Sequence, residues 1–154
     1  MKRIIPIAML LALPLFAHAE APAIDVPDDA KAAVATVDRF FTALKAGELE
    51  KAGAELDPEV LILESGGAER SAAEYLGGHA KGDAAFLKDA HHTLLHRKAR
   101  ASGKFAWVAS ESELHVQRDG KPATIVSTET MILRSDHAGW KIVHIHWSSR
   151  TRKP

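Results

Sequence analysis

The sequence predicts an α+β fold, an antiparallel sheet covered on one face by helices. Two observations carry this. The first half is mostly in the three-to-four spacing of amphipathic helices, with one short apolar strand inside it. After His92 the period changes toward two, and tight-turn signals divide the remainder into four long strands. Helices followed by consecutive hairpins favour a helical layer on one side of an antiparallel sheet.

The elements follow in order. Asp28 or Asp29 is placed to cap a helix. Val34, Val37, Phe40, Phe41 and Leu44 recur at helical spacing, and Ala46-Gly47 suits its end. A short helix over Glu48–Ala54 stops before Asp57-Pro58. Val60–Leu63 is an apolar strand, and Gly66-Gly67 a turn. Ser71 with Glu74 forms a capping-box pattern opening a helix through Tyr75 and Leu76. Gly77, Gly78 and Gly82 divide that region into two pieces meeting near His79. The strands run from Leu94 to Ala101, Phe105 to Val116, Ala123 to Arg134 and Trp140 to Ser149, with Asp119-Gly120 as the strongest hairpin signal.

The N-terminus has its own chemistry. Met1-Lys2-Arg3 is basic, Ile4–Phe16 is almost wholly apolar, and Ala17-His18-Ala19 places small residues where a signal peptidase cuts. The apolar run of 13 residues is short of the roughly 20 needed to span a bilayer, so no stable membrane anchor is expected. The expected organisation is a signal peptide over 1–19, a flexible leader over 20–28, one domain over 29–150 and a tail over 151–154. The protein is expected in the periplasm or outside the cell. Without Lys2 and Arg3 the chain retains 18 basic against 20 acidic residues, a balance of −2 that gives no basis for a nucleic-acid partner. The absence of cysteine excludes a disulfide framework.

The last strand carries the candidate chemistry. Strict alternation puts Trp140, Ile142, His144, His146 and Ser148 on one face, which Arg150 extends. Two histidines two residues apart, with Cα atoms roughly 6.5–7 Å apart, can converge on one ligand or ion. Glu129 interrupts the preceding strand. Pairing Leu133 with Trp140 sets Glu129 opposite His144, whereas a one-residue slip turns it to the other face. His79 and Asp83 stand at i and i+4 on a helix able to cover the pocket. Three readings stay open: a satisfied polar network, an organic-ligand pocket with acid–base groups, and a metal site on His144 and His146. No cofactor motif is present, and His-x-His lacks a third ligand defined by sequence.

The residues Val37–Leu44 with Gly47, Gly78-His79 with Asp83, Ala106–Val108, Glu129–Leu133 and Gly139–Ser148 together resemble the SnoaL-like branch of the nuclear transport factor 2-like superfamily. The resemblance covers about Asp29–Arg150. It implies a cone-shaped fold, with a curved, mainly antiparallel sheet wrapped around the N-terminal and middle helices. It also implies a small-molecule pocket at the open end and homodimers through the outer sheet face. Superfamily members include ketosteroid isomerases, dehydratases, polyketide cyclases and non-catalytic binding domains, so fold does not choose among them. An oxyanion site of tyrosine plus protonated acid finds no residue-by-residue match, since Tyr75 is the one tyrosine and sits on a helix. A cyclase-type acid–base group could be His144, His146 or Asp83. The expected pocket is lined by His79, Asp83, Glu129, His144 and His146, with Trp140, Ser148 and Arg150 on the same strand face.

Overall fold

A computed structural model describes residues 21–153; the signal-peptide pattern of residues 1–19 lies outside them. Among these residues the elements are β1 (Ala23–Asp25), a 3-10 turn (Asp28–Ala30), α1 (Lys31–Lys45), α2 (Leu49–Ala54), β2 (Leu56–Glu64) and β3 (Gly67–Glu69). They continue as α3 (Ala72–Gly77), α4 (His79–Asp89), β4 (His91–Ser102), β5 (Phe105–Arg118), β6 (Lys121–Asp136) and β7 (Gly139–Thr151). The strands form one curved sheet in the order β1-β4-β5-β6-β7-β2-β3.

The four long strands are sequential antiparallel neighbours because tight turns join them. At the β5–β6 hairpin Asp119 and Gly120 both have positive φ, 52° and 72°, as the two central residues of a type I′ turn require. β2 is different. It returns beside β7 in parallel, a pairing its local sequence does not announce. β1 runs parallel to β4 and covers that edge, so the leader expected to be flexible contains a strand held by Asp25 against Arg100.

α1 buries Ala33, Val37, Phe40 and Leu44 against the sheet, the face its spacing predicts. Each large apolar side chain so buried contributes about 1.5–3 kcal/mol. Its start differs from expectation: neither Asp28 nor Asp29 makes a side-chain cap, and both lie in the 3-10 turn. The α3 cap is as predicted, with Ser71 Oγ accepting from the Glu74 N–H at 3.0 Å. Gly53 lets α2 approach α3 closely, since a Cβ there would meet Leu76 Cδ1 at 2.6 Å. Beneath the helices a row across five strands, Ala99–Val108–Met131–Ile145–Ile62, is fully buried and forms the apolar floor of the concave face.

Two β-bulges decide which side chains reach that face. In β7 Leu133 pairs with Ile142 and Ile132 with His144, leaving Val143 as the extra residue. In β4 Leu94 pairs with Ser112 and His96 with Glu111, leaving Leu95 extra. An extra residue shifts the alternation by one. Ile142 therefore shares its face with Ile145, Trp147 and Ser149, while His144, His146, Ser148 and Arg150 point to the opposite face.

Candidate functional site

Above the apolar floor the next row of the concave face is polar: Arg97, Ser110, Glu129, Trp147 and Glu64, one from each of β4, β5, β6, β7 and β2. All five line a cavity of about 420 Å³. A second row, Leu94–Ser112–Ser127–Ser149, sets three hydroxyls beside it, and His92, Leu114 and Ile125 follow toward the rim. The helices close the other side. α1 contributes Val37, Asp38, Phe41 and Thr42, and α4 contributes Asp83, Phe86 and Leu87. The wall is thus largely apolar with one transverse polar band, the composition of a site for a small organic molecule.

Glu129 is the centre of the band. The Trp147 Nε1–H donates to its Oε2 at 2.8 Å. Burial pushes its carboxyl well above the usual range, and the Trp147 N–H, the Arg97 charge and the Ser110 hydroxyl only partly oppose the rise. Arg97 is itself engaged, its Nε donating to Ser110 Oγ at 3.1 Å and its Nη1 to Asp38 Oδ1 at 2.5 Å. At the far end burial also raises Asp83 and Glu64. The buried Tyr75 hydroxyl donates to Asp83 Oδ2 at 2.8 Å. At the rim His92 stacks obliquely on Phe41 at 4.6 Å, and burial lowers its pKa, favouring the neutral ring.

The residues singled out from sequence divide accordingly. Glu129 and Asp83 line the cavity. His79 adjoins Asp83, with Nε2 3.6 Å from Oδ1. Trp140 packs against the core outside the lining. His144, His146, Ser148 and Arg150 do not reach the cavity: β6 pairs Glu129 with Trp147, not with His144, because Ser135 rather than Leu133 faces Trp140. The Val143 bulge is the physical reason for the reversal. His144 instead donates through Nδ1–H to the Leu61 carbonyl at 2.8 Å on the other face. A convergent set of three metal-type ligands among the described residues lies elsewhere, at Glu64, His79 and Asp83.

Arg97, Ser110, Trp147 and Glu64 were not singled out from sequence. The alternating Ser110, Ser112 and Ser127, Glu129 were the available signal, since small hydroxyls repeating at period two on apolar strands mark a polar inner band.

Comparison with known proteins agrees with this architecture. The SnoaL-like domain family matches residues 33–151. A candidate ketosteroid isomerase from Shewanella frigidimarina is 34% identical, with TM-score 0.72 over 76% of this chain and 94% of that one. A candidate dehydratase of the NTF2-like family from Streptomyces avermitilis is 16% identical, with TM-score 0.64 over 79% of this chain and 96% of that one. The CaMKII hub of S. rosetta is 23% identical, with TM-score 0.67 over 86% of this chain and 99% of that one. No curated protein sequence matches the chain. On the family match and the shared cone of sheet and helices, the chain belongs to the SnoaL-like domain family, with an NTF2-like fold.

Proposed function

We propose that the cavity binds a small, mainly apolar organic molecule carrying a carbonyl group, and that Glu129 moves a proton from one carbon of it to another, as in an isomerase. The observation that carries this reading is the position of Glu129. It is a carboxyl fixed by Trp147 at the middle of the polar band that crosses the cavity, with its proton affinity raised by burial. Ionised Glu129 takes a proton from the carbon beside the carbonyl; the electron pair moves onto the carbonyl oxygen as an enolate; the carboxylic acid then returns the proton at another carbon. A carboxyl of raised pKa is both a stronger base and a competent donor. Ser112, Ser127 and Ser149 line the same cavity, and in this reading their hydroxyls donate to the oxygen that gains charge.

The 34% identity to a candidate ketosteroid isomerase supports a 3-oxo-Δ5-steroid as the first probe. Formation of the conjugated enone is followed by absorbance. The expected result is turnover that Glu129→Gln lowers by about 10²–10⁴-fold, while the double change His144→Ala, His146→Ala leaves it unaltered. Binding of the steroid without turnover would favour a non-catalytic binding domain, and equal rates for wild type and Glu129→Gln would end the acid–base reading.

Two further features belong to this reading. The pattern of Met1–Ala19 supports export to the periplasm or beyond, tested by whether the protein recovered outside the cytoplasm begins at Glu20. Outside the cavity, Trp107, Ile132 and Leu61 lie 37–38% exposed on one cross-strand row with His144, and Phe105 is 55% exposed. That apolar stripe supports a homodimer through the outer sheet face. Light scattering tests it, since Trp107→Glu with Ile132→Glu should yield monomers.

A further inference from the structure

We propose that Glu64, His79 and Asp83 form a binding site for a first-row divalent cation in the wall of the cavity. The site is separate from Glu129, and its test does not depend on the acid–base reading.

Two elements converge there. Glu64 ends β2, and His79 and Asp83 stand one turn apart at the start of α4. His79 Nε2 is 3.6 Å from Asp83 Oδ1 and 3.9 Å from Glu64 Oε2, and the three ligand atoms lie within 4.8 Å of one another. Around an ion bound at about 2.0–2.2 Å, neighbouring donors stand roughly 3–4 Å apart, so the set needs only a small contraction.

Two of the three donors, His79 and Asp83, are aimed by a group behind them. His79 Nδ1–H donates to Glu69 Oε1 at 2.9 Å, which leaves the Nε2 lone pair directed at the two carboxylates. Tyr75 OH occupies Asp83 Oδ2, leaving Oδ1 toward Nε2. This carboxylate–histidine arrangement and hydroxyl-held carboxylate are the supports that orient metal ligands. The charge points the same way, because three carboxylates surround one imidazole. One nitrogen with two oxygens suits zinc, manganese, iron or cobalt better than calcium, which prefers oxygen alone. The ion has access: the His79 side chain is 45% exposed, while Glu64 and Asp83 also border the cavity. An open coordination position there would face a bound molecule.

The alternative occupant of this cage is a proton on His79, giving an imidazolium held by carboxylates. Chelator-treated protein titrated with Zn²⁺ or Mn²⁺ alone, by calorimetry, decides between them. The expected result is one ion per chain. His79→Ala and Asp83→Asn should weaken binding at least about 10-fold, and Glu69→Gln about 10–100-fold through loss of ligand orientation. Mn²⁺ should also broaden the His79 ring resonances of the wild type before those of His144, a readout that needs no variant to fold. Absence of a saturable one-to-one event, or titration of His79→Ala like wild type, would overturn the site.

Discussion

Glu129 concentrates the energetics of the cavity in one carboxyl. Burial favours its neutral form, so its folded pKa lies above the ordinary 4.5. The sign of the linkage follows. When both folded and unfolded states are ionised, near neutral pH, the group costs stability; as pH falls through the folded pKa, the folded state takes up the proton first and the cost disappears. Glu129→Gln keeps an acceptor for the Trp147 N–H and removes the charge. Its Tm is therefore expected to exceed that of wild type at pH 7, by a few degrees for each kcal/mol relieved, and the gap should close on acidification. Thermal melts from pH 4 to pH 8 check this; a gap that widens toward acid contradicts it. Glu129 was legible in the sequence because a charge in an apolar strand needs a partner. Its true partner was not, because Trp147 reads as core until the register is known.

At the scale of elements, the β-bulges explain both the site and the failure of simple alternation. Unbroken period-two reading of β7 puts His144 and His146 with Trp140 and Ile142. The extra residue Val143 breaks that sequence and gives the inner face to Ile145, Trp147 and Ser149. Nothing local in Lys141–His144 announces it; the bulge reflects which residues the sheet can bury. Deleting Val143 removes the bulge yet leaves every later residue on its present face, so the variant should fold and keep Trp147 inside. Deleting His146 instead turns Trp147 outward. That should cost about 2–3 kcal/mol or more in lost burial, together with the hydrogen bond to Glu129. Melting curves and the emission wavelength of Trp147 separate the two deletions. Equal damage from both would show that the bulge does not set the face.

Across the whole molecule, the helix pattern, the turns and the four sequential strands were readable because each is a local signal. Asp119-Gly120 fixes a hairpin by its own backbone preferences, and the α1 stripe is visible in fifteen consecutive residues. What escaped is non-local: the parallel return of β2 beside β7, the capping of β4 by β1, and hence the row that joins Arg97 to Glu64. A polar row built from one residue on each of five strands has no linear motif. Its existence follows from the fold, and its chemistry from which side chains the bulges turn inward.

The three tryptophans provide the most direct test of where a ligand binds. Trp147 lines the cavity, Trp140 packs at its own hairpin beside the core, and Trp107 is exposed on the outer face. Their indole N–H resonances can be followed together by NMR as the steroid ketone is added. Binding on the polar row predicts that the Trp147 signal shifts with saturation while Trp107 stays still, and that Glu129→Gln alters the Trp147 response. Saturable movement of Trp107 with Trp147 unmoved would place the ligand on the opposite face and contradict the account.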